Sequence, residues 1–126
     1  MPVTYRIDPD AKLIRTRCMG EVTFTEVADH FRELERDPAC GEDFDVVLDL
    51  SEVSSIPTPG QLRAVTIEIE RLQPKIPFRA CAVVAKTDVL FGMSRMFEAF
   101  AEERFRAIRV FRTVEEAEGW LASRST

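Results

Sequence analysis

The sequence has few of the residues from which metal sites and nucleophilic catalysis are built. It contains one histidine and three cysteines, Cys18, Cys40 and Cys81, and no Cys-x-x-Cys pair. A zinc site needs about four closely spaced Cys or His ligands, so we expect no metal ion. Cys18 and Cys81 lie within apolar runs, where a free cysteine packs as a small hydrophobic residue. No glycine-rich phosphate-binding motif occurs, and we expect no cofactor.

Charge and hydropathy argue against two classes of partner. The net charge is −5, and acidic and basic residues alternate along the chain, so the concentrated basic surface of a nucleic-acid binder is missing. No apolar run approaches the ~20 residues that cross a bilayer. The first ten residues lack the basic region and apolar core of a secretory signal. We therefore expect a cytoplasmic protein with no nucleic-acid partner and no transmembrane segment.

The residues that are present predict one α/β domain over residues 1–126. VTYRID and KLIRTRCMGE flank the turn signal PDA, which indicates an antiparallel hairpin. FDVVLDL and FRACAVVA are nearly continuous apolar runs, as is typical of strands buried on both faces. AIRVF is a final, shorter strand. These segments predict the strands of a single sheet.

Helix start signals separate the predicted strands. We assign N-caps to Thr23, Thr58, Asp88 and Thr113. TFTE, TPGQ and TVEE are capping boxes, in which the first and fourth residues satisfy each other's backbone N–H groups. The element order is ββαβαβαβα, which predicts a mixed, mostly parallel five-stranded sheet with right-handed crossovers.

The stretch SSIPTPGQL, residues 54–62, fixes the start of the second helix. Proline is favoured at the first helical position, where Pro59 lies, and it pushes the preceding Thr58 into the extended geometry of an N-cap. VTIEIE alternates like a strand, but the apolar residues Leu62, Val65, Ile69 and Leu72 recur at helical spacing. We therefore predict a helix over residues 59–72, ended by QPKIP.

The same stretch predicts a place for an anion. It follows the apolar strand VVLDL, and open α/β sheets hold ligands beyond the carboxyl ends of their strands. A helix N-terminus favours negative charge, and Gly60 has no side chain to block approach. Thr58 can therefore act as a structural cap, or as a site of phosphorylation or anion binding.

Three other polar residues are candidate site residues. Asp49 near the end of an apolar strand is either a loop anchor or a group facing the mouth of the sheet. His30 lies beside the apolar stripe of the first helix, where we expect a partly covered structural histidine. Lys86 at a strand end is placed to meet an anion. Because these groups form no recognised nucleophile–base pair, we expect that the protein is not an enzyme.

The helix over residues 88–103 has more apolar residues than one core face needs. Its predicted core face consists of Val89, Met93, Met96, Phe97 and Phe100. Leu90 and Phe91 lie off that face. Ile67 likewise lies off the apolar stripe of its own helix, the one over residues 59–72. This excess apolar surface indicates either a ligand pocket or a subunit interface, and we expect a helix-mediated homodimer.

Three segments resemble a known family. VVLDLSEVSSIPTPGQL is similar to the central segment of STAS domains, the fold of anti-sigma-factor antagonists, which reads as an apolar strand, D-L-S, then D-S-S-G-L. FGMSRMFEAF followed by IRVFRTVEEAEGWL resembles the C-terminal end of SpoIIAA-like proteins, which are related in fold to the CRAL-TRIO lipid-binding domain. The resemblance covers nearly the whole chain and implies the same α/β fold.

The resemblance also implies roles for particular residues. Thr58 stands where the antagonists have their phosphorylatable serine, and Gly60 matches their glycine. Asp49 and Ser51 match the D-L-S element. The chain departs from the motif at Pro57, which replaces the aspartate before the serine, and the second serine is likewise replaced by proline.

Two functions follow from these observations. The first is a non-enzymatic protein-interaction module in bacterial regulation, whose partner docks around Thr58 and the helix that follows. The alternative is a binder of a lipid-like or other apolar small molecule, in a pocket between the helices at 59–72 and 88–103. The predicted ligand or partner surface consists of Asp49, Ser51, Lys86, Leu90, Phe91 and Met93. A filled core favours the first function, and an apolar cavity between those helices favours the second.

Overall fold

A computed structural model describes residues 2–74 and 77–124 and has a five-stranded sheet at its centre. The strands are β1 Val3–Asp8, β2 Leu13–Gly20, β3 Phe44–Val53, β4 Phe78–Val84 and β5 Ala107–Phe111, and they lie side by side in chain order. β1 pairs antiparallel with β2, and every other neighbouring pair is parallel. The predicted mixed, mostly parallel sheet is confirmed.

Four helices cover the two faces of this sheet. They are α1 Phe24–Arg36, α2 Pro59–Leu72, α3 Asp88–Ala101 and α4 Val114–Arg124, and a short 3₁₀ turn, Glu102–Arg104, follows α3. α1 packs on α2 and α2 on α3, which forms one helix layer, whereas α4 packs against β3, β4 and β5. The order ββαβαβαβα agrees with the prediction.

Strand order explains why three helices share one face. Each parallel strand lies next to the one before it, so successive right-handed crossovers through α1, α2 and α3 all pass over the same side. In many open α/β sheets a ligand crevice forms where the strand order reverses. The described strands contain no such reversal, so this kind of crevice is missing from the described sheet. Any internal site must lie between the helix layer and the sheet, or on the opposite face.

Side-chain caps start α1 and α4 at the predicted residues, and the cap of α1 is reciprocal. Thr23 Oγ1 accepts from the Glu26 N–H at 3.2 Å, and Glu26 Oε1 accepts from the Thr23 N–H at 2.9 Å. At α4, Thr113 Oγ1 accepts from the Glu116 N–H at 3.2 Å. These side chains satisfy N–H groups that have no partner within the helix.

The start of α2 repeats this arrangement with proline at the first helical position. Thr58 Oγ1 accepts from the Gln61 N–H at 3.2 Å, and Gln61 Oε1 accepts from the Thr58 N–H at 2.9 Å. Thr58 is extended, with φ −84° and ψ 159°, as expected before proline. The helix ends at Leu72, and residues 75–76 of the predicted QPKIP terminator lie outside the described residues.

α3 corrects two predictions. Its N-cap is Thr87, whose Oγ1 accepts from the Leu90 N–H at 3.2 Å, rather than Asp88. Its buried residues are Leu90, Ser94, Phe97 and Ala101, whereas Val89 of the predicted core face is 56% exposed. The true inner face contains a serine and an alanine, so the larger apolar side chains beside it gave a stronger but displaced pattern.

No helix in the described part of the chain combines the length and hydropathy needed to cross a bilayer. The longest helices, α2 and α3, have 14 residues each. At about 1.5 Å per residue, such a helix is shorter than the hydrocarbon core of a bilayer.

Candidate functional site

An apolar cavity of about 150 Å³ lies between the helix layer and the sheet. Its walls come from α1, α2 and α3 and from the side chains of β1, β2, β3 and β4 that face them. Leu62, Val65 and Ile69 of α2 line it, as do Leu90, Ser94 and Phe97 of α3. Both helices between which the sequence allows a pocket therefore contribute, and α1 adds a third wall.

The burial of side chains along β3 shows where the helix layer does not pack tightly against the sheet. Val46, Leu48 and Leu50 lie on the central strand, line the cavity and are only half-buried. Their neighbours Ile14 on β2 and Val83 on β4 are fully buried. A close-packed core buries its central strand most completely, so the accessible apolar surface of β3 is cavity surface.

The mouth of the cavity lies at the starts of two helices. Among the described lining residues, only Thr23 and Gln61 are exposed; the first caps α1 and the second belongs to the first turn of α2. Ser55 and Pro57 also line this end. The cavity therefore opens at the carboxyl edge of the parallel strands, next to Thr58.

The lining carries no charged side chain among the described residues. Its polar groups are Thr23, Ser55 and Gln61 near the mouth, and Thr16, His30 and Ser94 in the walls. The rest of the wall is aliphatic and aromatic, apart from the thiols of Cys18 and Cys81. A charged group placed inside would have no countercharge, which makes its burial costly.

His30 is a buried wall residue, which corrects the expectation of a partly covered one. It is 7% exposed, and its Nε2 lies 3.0 Å from Thr16 Oγ1 on β2. The rings of Tyr5 and Phe31 pack against it at 5.5 and 5.3 Å between centroids. Desolvation lowers the pKa of His30 from 6.5 to about 4, so the imidazole is neutral at pH 7.

The contact between His30 and Thr16 has the distance of a nucleophile–base pair but not its other features. An efficient general base titrates near the working pH, whereas the His30 pKa of about 4 makes the imidazole a weak base at pH 7. No carboxylate of the described residues forms a hydrogen bond or ion pair with the ring. Thr16 is itself 2% exposed within a strand. These features favour a structural hydrogen bond.

Ser94 is the other polar group buried in the wall. The residue is 3% exposed, and its hydroxyl oxygen has no hydrogen-bond partner among residues 2–74 and 77–124. Thr66 on the neighbouring helix differs, because its Oγ1 donates to the Leu62 carbonyl at 2.9 Å. Buried hydroxyls nearly always have a partner, so the Ser94 oxygen requires an explanation.

The cysteines are free thiols with little nucleophilic character. Cys18 and Cys81 are buried and line the cavity, whereas Cys40 is half-buried. Burial raises the pKa of Cys18 and Cys81 to about 12 and that of Cys40 to about 11. All three are therefore protonated at pH 7. The described residues contain no group of three or more His, Cys, Asp or Glu side chains that could hold a metal ion.

The segment around Thr58 is exposed at the rim of the cavity. Thr58, Pro59 and Gly60 are all exposed. A Cβ atom built on Gly60 would meet only Thr58 Oγ1, at 3.9 Å, so the space in front of the helix start is open. Phosphorylation or anion binding at Thr58 stays a prediction.

The remaining predicted site residues do not form one surface. Asp49 Oδ1 accepts from the Ser51 N–H at 2.9 Å, so this carboxylate anchors its own strand end, and it faces the α4 side with Val47. Lys86 is exposed beyond β4, and its carbonyl accepts from Arg112 Nη1 at 3.0 Å. Neither Asp49 nor Lys86 lines the cavity.

Leu90 and Phe91 are not the excess surface that the sequence indicates. Leu90 is 4% exposed and lines the cavity, because the inner face of α3 is rotated from the predicted one. Phe91 is half-buried on the core, with the Arg112 guanidinium 4.2 Å from its ring centroid. Met93 is half-buried. Ile67 is 64% exposed, as predicted.

Sequence reasoning missed most of the cavity wall. Thr16, Ser94 and the contribution of α1 were not identified, although a serine between Leu90 and Phe97 in an apolar helix is an available signal. The cavity itself depends on how three helices sit over β3. That spacing is a tertiary property, which no single segment encodes.

Comparison with known proteins places the fold but assigns no activity. No family model and no curated protein matches the chain. Among solved structures, the chain is similar to an uncharacterised protein of the DUF3478 family from Shewanella loihica PV-4, which has a SpoIIAA-like fold. The TM-score is 0.61 at 14% sequence identity, over 94% of this chain and 91% of that one. This protein therefore has a SpoIIAA-like fold, as the sequence resemblance predicts.

Proposed function

We propose that the protein is a non-enzymatic binding module that holds a small apolar molecule between its helix layer and its sheet. The observation that supports this most directly is the accessible apolar surface of β3 beneath the helices, at Val46, Leu48 and Leu50. Removing apolar surface from water is favourable by about 25 cal/mol per Å². A ligand that covers these side chains gains that free energy without rearrangement of the fold.

The size of the cavity narrows the class of ligand. A cavity of about 150 Å³ is comparable to those that hold one benzene-sized molecule. A long acyl chain requires several times this volume. Among the lipid-like ligands that the sequence allows, the cavity therefore fits only those the size of a single ring or a short branched chain.

A cavity-filling variant tests the proposal with toluene as the probe. Val65 lines the cavity from α2, and Val65→Phe places a ring where toluene would bind. Ile67→Phe is the matched control on the same helix, because Ile67 is 64% exposed. We expect toluene to raise the Tm of the wild type and of Ile67→Phe, and not that of Val65→Phe. An unchanged wild-type Tm at saturating toluene contradicts the proposal.

A protein-interaction role is the second candidate, and the surface around Thr58 favours it. Ile56 is 57% exposed just before the exposed Thr58, Pro59 and Gly60. An apolar side chain beside a helix N-terminus offers both a hydrophobic contact and a site for an acidic group. Gln61 lies on the cavity rim, so a regulatory partner here would sit over the mouth.

Mass spectrometry of the natively purified protein separates the two candidates. A small molecule that stays bound in the native protein and is released on denaturation supports ligand binding in the cavity. A covalent mass increase of one phosphate, lost in Thr58→Val, supports switching at Thr58. Unmodified protein after exposure to the kinases of its own cell extract contradicts the phosphate switch and leaves capping as the role of Thr58.

The homodimer and the cytoplasmic location are further parts of the proposal. Because Leu90 is buried, we propose the exposed apolar residues of α3, chiefly Val89 and Met96, as the homodimer interface. Free thiols persist in reducing compartments, so the three unpaired cysteines support the cytoplasm.

A further inference from the structure

The cavity has one polar group without a partner, and this group indicates the chemistry of the ligand. We infer that the ligand is an uncharged molecule with an apolar body and one hydrogen-bonding group, and that the Ser94 hydroxyl recognises that group. This inference rests on the proposed function, because it concerns the same cavity. It adds to that function a chemical class and a specificity-determining residue.

The absence of charge from the walls makes it costly to bury an ionic group in the cavity. None of the described lining residues is Asp, Glu, Lys or Arg. The wall imidazole, His30, is 7% exposed and neutral at pH 7, because burial lowers its pKa to about 4. A carboxylate or an ammonium group inside would lose its hydration with no countercharge to replace it. The ligand that fits is therefore neutral.

Ser94 is distinguished from the other buried hydroxyls by its lack of a partner. Thr16 Oγ1 lies 3.0 Å from His30 Nε2, and Thr66 Oγ1 donates to the carbonyl four residues earlier in its helix. Ser94 Oγ has neither kind of partner among the described residues, although this residue is buried as well. A buried hydroxyl without a partner costs free energy, and a ligand that hydrogen-bonds to it removes that cost.

Ser94 is also in the right place. It lies in the middle of α3, four residues after Leu90 and three before Phe97, and all three line the cavity. Its oxygen is covered in the present rotamer. Rotation about a single torsion, χ1, moves a serine oxygen between staggered positions, so a ligand in the cavity can engage it without movement of the helix.

Volume and polarity together define the ligand class. One ring fills a cavity of about 150 Å³, and one hydroxyl, carbonyl or ring N–H satisfies Ser94. Phenols, small aromatic alcohols and single-ring heterocycles have this combination. Phenol and toluene are a suitable pair of probes, because they differ by one hydroxyl in place of one methyl group.

The test measures both probes by calorimetry in the wild type, in Ser94→Ala and in the control Thr66→Val. Thr66→Val removes a buried hydroxyl that does not line the cavity. We expect Ser94→Ala to weaken phenol binding about threefold to tenfold and to leave toluene binding unchanged, which is the range of one hydrogen bond. We expect Thr66→Val to change neither affinity. Loss of both affinities in Ser94→Ala, or of neither, contradicts the role of Ser94.

Benzoate tests the exclusion of charge. We expect no detectable benzoate binding at pH 7 at concentrations that saturate the protein with phenol. Benzoate binding as tight as that of phenol contradicts the neutral class. Toluene binding with no selective effect of Ser94→Ala overturns this inference but leaves the proposed function standing, whereas failure of both neutral probes to bind overturns the proposed function itself.

Discussion

At the scale of single residues, His30 shows how burial decides the charge of a side chain. Its neighbours are a threonine hydroxyl and the rings of Tyr5 and Phe31, and no carboxylate among the described residues pairs with the ring to stabilise an imidazolium. The pKa is therefore about 4 in the folded protein and about 6.5 in the unfolded chain. Between these values the unfolded state binds a proton that the folded state does not.

This difference predicts a pH dependence of stability. The free energy of unfolding should rise as pH increases from 4 to 6.5, by about 3 kcal/mol from this residue, and then level off. Urea unfolding at pH 4.5 and pH 7.5 measures it in the wild type and in His30→Gln. We expect the variant to lose this part of the rise, because glutamine has no proton to bind in this pH range. An equal rise in both proteins contradicts a neutral His30.

The residue scale also separates what the sequence could predict from what it could not. The role of Thr58 was predictable, because a cap depends only on residues within four positions of it. The burial of His30 and the missing partner of Ser94 were not, because both depend on strands and helices far away in sequence.

At the scale of elements, α2 depends on its reciprocal cap. Thr58→Ala removes the acceptor for the Gln61 N–H and should lower the free energy of unfolding by about 1 kcal/mol. Thr58→Ser keeps the hydroxyl and should lie close to the wild type. Thr25→Ala is the matched control, because Thr25 is exposed inside α1 and is not its cap. Chemical denaturation gives all four values, and equal losses at Thr58 and Thr25 would exclude capping as the cause.

Element starts were easier to predict than element faces. The cap residues of three helices, Thr23, Thr58 and Thr113, were predictable from the sequence, whereas in α3 the large apolar residues gave an inner face displaced by one position. A shift of one residue turns a helix face by about 100°. Leu90 therefore moved from the expected surface to the cavity wall, and Val89 moved outwards.

At the scale of the whole molecule, strand order in the sheet determines where a site can form. Strands in chain order place α1, α2 and α3 on one face, and the cavity lies where this layer stands off β3. The order of the elements was readable from alternating strand and helix patterns. The cavity could not be predicted from the sequence, because it depends on how closely three helices pack over one strand.

Self-association is the remaining property at this scale, and it concerns the outer side of α3. Val89, Met93, Met96 and Phe100 recur at helical spacing and therefore share one side, along which Val89 is 56% and Met96 36% exposed. A two-fold axis beside this side would bury both copies of it, and symmetric dimers are the commonest soluble oligomers. This is the interface that we propose for the homodimer.

A matched pair of methionine substitutions tests that interface. Met96→Glu places a charge in the proposed contact, and Met19→Glu places the same charge at a similarly exposed position on β2, because Met19 is 41% exposed. Sedimentation should give a dimer for the wild type and for Met19→Glu, and a monomer for Met96→Glu, since an unpaired charge in an apolar contact is costly. A dimeric Met96→Glu moves the interface elsewhere, and a monomeric wild type leaves the apolar side of α3 without a role in self-association.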